Sequence, residues 1–127
     1  VGNGDQTRDF TYITDVVRAV VKAAESDYTD RVYNVGSGAT VSINRLVELL
    51  GGDKIHIPLR PGEPNCTFAD ISRIQKEIKW RPEYLIEEGI EELLKHIDHW
   101  KGAPIWTPEL IANETRSWFT HLKDIDG

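Results

Sequence analysis

Apolar residues recur at helical spacing in three separate stretches of the chain, and this pattern predicts three amphipathic helices. In the first stretch Thr14 or Asp15 is placed to cap the helix, because either side chain has an oxygen that could accept from first-turn amides. In the second, Ser42 is the expected cap and Gly51-Gly52 the stop. The third runs from about residue 86 to residue 100. The positions expected to face inward are Val16, Val17, Val20, Val21 and Ala24 in the first, Ile43, Leu46, Val47 and Leu50 in the second, and Ile90, Leu93, Leu94 and Ile97 in the third.

Shorter patterns supply the remaining elements. Segment 31–35 is β-branched and aromatic and predicts a strand, 55–58 predicts a short edge strand, and 10–13 an extended stretch. Asp70 is expected to cap one further helix, and Thr107-Pro108-Glu109 marks the start of the last. Their predicted inward positions are Ile71, Ile74 and Ile78, then Leu110, Ile111, Trp118, Phe119 and Leu122. The whole predicts a helix-rich α/β fold with few, short strands, in one domain over residues 1–127.

Composition narrows the class of protein. The formal charge of −6 argues against a nucleic-acid binder, which usually has a basic face. It leaves room for a small anionic ligand, since two or three arginines in one cleft act locally. No apolar run approaches the roughly 18 residues that cross a bilayer, so no membrane partner is expected. Cys66 is the single cysteine, which favours a reducing cytoplasm over a disulfide framework.

Three charged residues stand where binding chemistry is plausible. Arg8 follows a glycine-rich turn, and Arg60 lies in a loop after a predicted strand. The fixed fork of donors on arginine matches a phosphate, so two converging arginines would hold a diphosphate. Glu63, beyond the Pro61-Gly62 turn, could accept from sugar hydroxyls. By residue type alone, ordinary surface charges or ion pairs are the commoner explanation of all three.

Other chemistry is poorly supported. Gly36-Ser37-Gly38 lacks the third glycine of a dinucleotide fingerprint, so a structural turn is favoured. His96 and His99 lie three apart but have no obvious further metal ligand, and Cys66 has no evident base. Hydride chemistry on sugar alcohols commonly uses a tyrosine with a lysine four residues on. The positions four beyond the tyrosines are Val16, Val32, Ser37 and Glu88, so no catalytic residue is predicted.

Seven short motifs follow one another in a specific order. They are residues 2–13 (GNGDQTRDFTYI), 15–19 (DVVRA), 33–38 (YNVGSG), 42–44 (SIN), 60–64 (RPGEP), 69–72 (ADIS) and 80–82 (WRP). Together they resemble the carboxyl-terminal region of the extended short-chain dehydrogenases/reductases, the family of NAD-dependent nucleotide-sugar epimerases and dehydratases. The resemblance runs from residue 1 to about residue 94, and the helical tail 100–127 goes beyond it.

The resemblance implies roles for individual residues. Arg8 and Arg60 match the family's phosphate-binding arginines, Glu63 its acid on the nucleotide ribose, and Phe10 a nearby aromatic with a packing role as the alternative. The implied ligand is a UDP-, dTDP- or other nucleotide-sugar. The implied cofactor is NAD, bound by a Rossmann half with the catalytic tyrosine and lysine. That half has no counterpart in these 127 residues, so this chain alone is expected to bind no NAD and to be inactive.

The segment between the Ser42 helix and Arg60 is shorter than in most members, which leaves the nucleotide and sugar open. Two other interpretations also stand. The chain could be a free-standing, non-catalytic nucleotide-sugar-binding module that self-associates, because its first helix and the 32–35 strand would have uncovered apolar faces. It could also be a remnant without function. The first of these predicts a homo-oligomer.

Overall fold

The computed structural model describes residues 1–122, and most of these lie in helices or in the loops between them. The helices are α1 (Ile13–Glu25), α2 (Ile43–Leu50), α3 (Ser72–Ile78), α4 (Ile86–Lys95), α5 (Pro108–Glu114) and α6 (Arg116–Leu122), with a 3₁₀ turn at Ile97–Trp100. Two start signals are confirmed at atomic detail. Ser42 Oγ accepts from the Arg45 amide at 3.1 Å, and Thr107 Oγ1 accepts from the Leu110 amide at 3.3 Å.

The strands of the described region are short. Strand β1 (Thr7–Arg8) pairs antiparallel with β2 (Val41–Ser42), with Thr7 opposite Ser42 and Arg8 opposite Val41. Thr7 also forms a parallel bridge with Cys66. The predicted helix-rich fold with few, short strands is therefore confirmed.

The predicted strands at 31–35 and 55–58 are wrong as elements of this structure. Neither segment pairs in a ladder among residues 1–122. Val32 is 80% exposed, and the Ile57 carbonyl accepts a single backbone bond from the Gly2 amide at 2.8 Å. A β-rich composition makes an extended backbone favourable, but a strand forms only where a neighbour supplies donors and acceptors.

The inward face predicted for α1 is also wrong. Of the residues predicted to face inward, Val17, Val20 and Val21 are between 46% and 63% exposed, and Ala24 is exposed as well. Ile13, which is not among them, is 62% exposed, and we call Ile13, Val17, Val20 and Val21 the α1 surface. The opposite side of the helix carries the buried residues, Asp15 and Ala19. Ala19 packs with Ile71, Ile74 and Trp80 in the apolar core, and Tyr33, Val35, Ala69 and Ile78 surround that cluster.

Asp15 is not the helix cap that the sequence suggests. The N-cap position is Tyr12, which makes no side-chain capping bond, and Asp15 lies fully buried inside the first turn. Its carboxylate accepts from the backbone amides of Glu83 and Tyr84, all at 3.1 Å. Asp15 therefore joins α1 to the segment that precedes α4. Asp70 does accept from a first-turn amide, that of Ser72 at 2.9 Å.

Two predicted helices are shorter than expected. The third ends at Lys95 because the His96 amide bonds back to Leu93, which tightens the chain into the 3₁₀ turn. The last is divided at Thr115, whose hydroxyl donates to the Ile111 carbonyl at 2.7 Å, a contact that often bends helices. Leu110 and Trp118 are exposed, not buried as predicted. The end of the predicted tail, residues 123–127, lies outside the described residues.

Candidate functional site: an arginine–glutamate cluster

The segment after the Arg60 loop runs beside β1. The Thr7 amide donates to the Asn65 carbonyl at 2.8 Å, and the Thr67 amide donates to the Thr7 carbonyl at 3.2 Å. These backbone bonds fix the loop next to the strand that carries Arg8. Main-chain hydrogen bonds alone therefore bring the segments of Arg8 and Arg60 together, although these residues are 52 positions apart in sequence.

The loop itself turns at Pro61-Gly62. Gly62 has a φ of +72°, and the Glu63 amide donates to the Arg60 carbonyl at 3.3 Å. Proline at the second position of a β-turn and a positive φ at the third are the pattern of a type II turn. This turn brings the side chains of Arg60 and Glu63 together, three residues apart.

Glu63 lies between the two arginines. Its Oε1 accepts from Arg8 Nη2 at 3.2 Å, and its Oε2 accepts from Arg60 Nε at 3.1 Å. The side chains of Arg8 and Glu63 are each 19% exposed, and that of Arg60 is 29% exposed. The structure therefore unites three of the four predicted site residues in one half-buried cluster with a formal charge of +1, although the chain carries −6.

The cluster has a fourth member that the sequence interpretation missed as a site residue. Trp118 of α6 donates its indole N–H to the Pro61 carbonyl at 2.9 Å. The Arg60 guanidinium carbon lies 5.5 Å from the centre of the Trp118 ring. The sequence marked Trp118 only as part of an apolar helix face, because no local pattern indicates a contact 57 residues away.

Phe10 lies elsewhere. It lines an apolar groove of about 350 Å³ between α2 and α4, together with Leu46, Leu50 and Leu93. None of the three charged residues lines this groove. The alternative packing role of Phe10 fits this position better than contact with a nucleotide.

The glycine loop at residues 36–38 is anchored by Asp9. One oxygen of Asp9 accepts from the Ser37 amide at 2.6 Å and from the Ser37 hydroxyl at 2.7 Å, and the other accepts from the Ala69 amide at 3.3 Å. A Cβ on the buried Gly36 would lie 2.5 Å from the Asp9 carboxylate. The loop is packed against protein groups, in agreement with the structural turn that the sequence favours.

The remaining candidates are separate from the cluster. The rings of His96 and His99 stack with centroids 6.1 Å apart, and Cys66 is an exposed free thiol. Across residues 1–122 no three histidine, cysteine, aspartate or glutamate side chains are grouped to hold a metal ion. No helix in that part of the chain is both long enough and apolar enough to span a bilayer.

The helix-rich scaffold thus holds two arginines and one glutamate together in a half-buried cluster. Comparison with known proteins places it in a family. The profile of the GDP-mannose 4,6-dehydratase family matches residues 1–93. The chain belongs to this family, within the extended short-chain dehydrogenase/reductase enzymes that act on nucleotide-sugars, as its motifs indicate.

Individual relatives agree with this assignment. The chain is 36% identical over 97 residues to a UDP-glucuronate 4-epimerase of Thermodesulfobacterium geofontis, covering 71% of this chain and 30% of that protein. The Bacillus cereus UDP-glucuronic acid 4-epimerase, solved with UDP-glucuronic acid and NAD, has a TM-score of 0.66 and 33% identity, with 77% of this chain and 34% of that one covered. The Thermotoga maritima UDP-glucose 4-epimerase with UDP-glucose has a TM-score of 0.71 and 28% identity, covering 77% and 33%. The chain thus spans about a third of the length of these relatives.

Proposed function

We propose that this chain anchors the nucleoside-diphosphate part of a nucleotide-sugar for a longer NAD-dependent epimerase or dehydratase. Arg8 and Arg60 bind the diphosphate, and Glu63 accepts from the ribose hydroxyls. The observation that carries the proposal is the single carboxylate held between two guanidinium groups from separate segments. A carboxylate in that position has a negative charge and oxygen acceptors, as a phosphate does, and this supports the assignment of the two arginines to a diphosphate.

Binding of a diphosphate requires Glu63 to move. Phosphate oxygens would replace Glu63 Oε1 at Arg8 Nη2 and bind the terminal nitrogens of Arg60, and the released Glu63 oxygen would be an acceptor with no proton to give. The vicinal hydroxyls of a ribose supply the donors that it needs. The anchored diphosphate orients the sugar. Binding contacts far from the reacting carbon offset the loss of freedom that the sugar undergoes when it is held for reaction.

The proposal assigns no NAD site to the described residues. A dinucleotide site places a glycine-rich turn between a parallel strand and the N-terminus of the following helix. The described strands are two residues long and antiparallel, and the helix after Gly38 begins only at Ile43. We therefore assign NAD and the hydride step to a Rossmann half of the parent, and no catalytic residue to this chain.

Calorimetric titration of the purified chain with UDP, dTDP, GDP and their glucose conjugates at low salt tests the anchor. We expect saturable binding that Arg8→Ala and Arg60→Ala each weaken about tenfold or more, as for the loss of one charge-assisted contact. Arg45→Ala is the matched control, because Arg45 is an exposed arginine that pairs with Glu48 and Glu87 instead. The proposal would be contradicted if wild type and the three variants bound with equal affinity. It would also be contradicted if Arg45→Ala weakened binding as much as Arg8→Ala and Arg60→Ala.

The α1 surface favours a second proposal, which is association with another protein surface. Four exposed aliphatic side chains on one helix form an apolar patch, and exposed Val32 is a fifth unpartnered aliphatic group. We propose that the Rossmann half of the parent covers this surface, because the matched part of the chain accounts for only about a third of each relative. In the isolated chain a second copy would substitute, so the chain would self-associate.

Sedimentation velocity over a wide range of concentrations tests self-association. Wild type should form dimers or larger species as concentration rises, and Val20→Lys should remain monomeric. Ile105→Lys, which changes an exposed aliphatic residue outside the α1 surface, is the matched control. A monomeric wild type at every concentration would exclude the self-associating module and leave the surface to the parent.

A further inference from the structure

The carboxyl-terminal helices lie against the segment that carries Arg60. Ile111, Thr115 and Phe119 line a cavity of about 410 Å³ together with residues 56–58 and Arg60. Trp118 closes the arrangement with its bond to Pro61 and its ring beside Arg60. This part of the chain lies beyond residue 93, where the family match ends.

Only part of the Arg60 guanidinium group is engaged by protein groups within residues 1–122. The guanidinium carbon lies over the Trp118 ring, and Nε donates to Glu63. Within residues 1–122 the two terminal nitrogens of Arg60 donate to no protein group, whereas both terminal nitrogens of Arg8 do. Arg60 therefore has a free pair of donors of the kind that a phosphate needs.

We infer that Trp118 is a positioning residue for anion binding: its ring holds the Arg60 guanidinium in place and its N–H holds the Pro61-Gly62 turn. The effect of Trp118 on binding rests on the proposed function, because the anion is the diphosphate of that proposal. An arginine that is already ordered loses less side-chain freedom on binding, so affinity rises without a new contact to the ligand. The tail thereby sets the affinity of a site that the matched part of the chain provides.

Two substitutions separate the contacts of Trp118. Trp118→Ala removes the ring and the N–H donor, whereas Trp118→Phe keeps a ring for Arg60 and removes only the donor to Pro61. Trp106→Ala is the matched control, because Trp106 is a tail tryptophan that is 63% exposed and stands apart from the cluster. The full 127-residue chain is used throughout.

The first readout is calorimetric titration with inorganic pyrophosphate and with UDP. Trp118→Ala should weaken binding of both about three- to tenfold, Trp118→Phe by less than about threefold, and Trp106→Ala not at all, as the modest size of an exposed cation–π contact and one hydrogen bond implies. Equal affinity of Trp118→Ala and wild type would overturn the inference. A loss of the same size in Trp106→Ala would also overturn it, since the effect would then be general destabilisation of the tail.

The second readout needs no ligand and separates this inference from the proposed function. In wild type the Arg60 Nε–H resonance should be shifted upfield by the indole ring and show restricted motion. Trp118→Ala should abolish both properties, and Trp118→Phe should retain them. If wild type binds neither pyrophosphate nor UDP but shows this pattern, the proposed function fails for the isolated chain and the positioning of Arg60 stands. An Arg60 signal that is the same in wild type and Trp118→Ala refutes the positioning.

Discussion

Replacement of Asp15 by alanine removes the best-connected buried side chain described in this protein. Its two oxygens accept from the Glu83 and Tyr84 amides at 3.1 Å, and Oδ1 lies 3.1 Å from Arg18 Nη2. Its backbone carbonyl accepts from the indole N–H of the fully buried Trp80, also at 3.1 Å. Alanine keeps the last of these bonds and loses all the others.

The expected loss follows from what remains unpaired. Each of two amides on the Glu83–Tyr84 segment loses its acceptor, at a cost of about 1–3 kcal/mol per group if water does not reach it. Arg18 loses one partner but keeps the Arg81 carbonyl and the Glu83 carboxylate, and it is 31% exposed, so solvent reduces its share. The total should be about 3–5 kcal/mol, the range for breaking a buried charged contact. A domain has about 5–15 kcal/mol in all, so Asp15→Ala should lose a large share of its free energy of unfolding.

Urea unfolding followed by helical circular dichroism measures this loss. With a denaturant slope of about 2 kcal/mol per molar, 4 kcal/mol corresponds to a midpoint lower by about 2 M. Asp15→Asn retains one acceptor oxygen and should lose about half as much. The matched control is Asp98→Ala, which removes an exposed carboxylate paired with Lys101 and should cost less than about 0.5 kcal/mol. Midpoints for Asp15→Ala and Asp98→Ala that agree within error would refute the hydrogen-bonding account of Asp15.

Three further predictions concern single side chains. Glu63→Gln removes the charge that competes with an anion, so pyrophosphate should bind roughly fivefold more tightly, about 1 kcal/mol for a partly exposed pair. UDP should gain less because the ribose acceptor is weakened, and an equal gain for both ligands in titration would contradict the ribose role. Gly36→Ala places a Cβ 2.5 Å from the Asp9 carboxylate and 2.7 Å from the Ala69 Cβ, and it should cost about 1–3 kcal/mol in urea unfolding. An unchanged midpoint would show that both neighbours move aside without cost. The pKa of Asp70 is held below the ordinary aspartate value by hydrogen bonds from the Ser72 hydroxyl and amide. Asp70 thus adds stability above the unfolded-state pKa that is lost as pH falls through the lower folded pKa, and Ser72→Ala should raise that pKa in a carbon-detected NMR titration.

Helix boundaries set by local chemistry could be predicted from the sequence. Ser42 caps α2 and Gly51, with a φ of +76°, ends it, because capping needs only atoms within a few residues. The Thr107-Pro108 start of α5 follows for the same reason. Each of these predictions depends on residues close together in sequence and not on contacts with distant parts of the chain.

Features that depend on distant partners could not be predicted. Segment 31–35 has strand composition, but no described strand lies beside it to complete a ladder. The first helix has its apolar stripe where the spacing predicts, yet the structure buries the side of Asp15 and Ala19. Periodicity identifies a face but does not say what covers it, and the partner of an aspartate 68 residues away leaves no local pattern.

The candidate site divides in the same way. Arg8, Arg60 and Glu63 could be named from the family motifs, and their meeting follows from those motifs. The bridging of both arginines by one carboxylate could not be derived, because it depends on the Pro61-Gly62 turn and on the pairing of β1 with residues 65–67. Trp118 had no motif at all, since its contacts join the tail to a loop far away in sequence.

The hydrogen bonds of Asp9 fix the end of β1, next to Arg8, although few apolar side chains are buried. The buried hydrophobic residues described are Ala19, Ile71, Ile74, Trp80 and Ile90, and the α1 surface adds nothing to them. Asp9 instead ties the end of β1 to the 37 and 69 regions through backbone amides. Such bonds fix direction as well as distance, which a nonspecific apolar contact does not. Loss of Asp9 should therefore disturb the Arg8 geometry more than loss of a valine from the α1 surface, whose contribution depends on a covering partner.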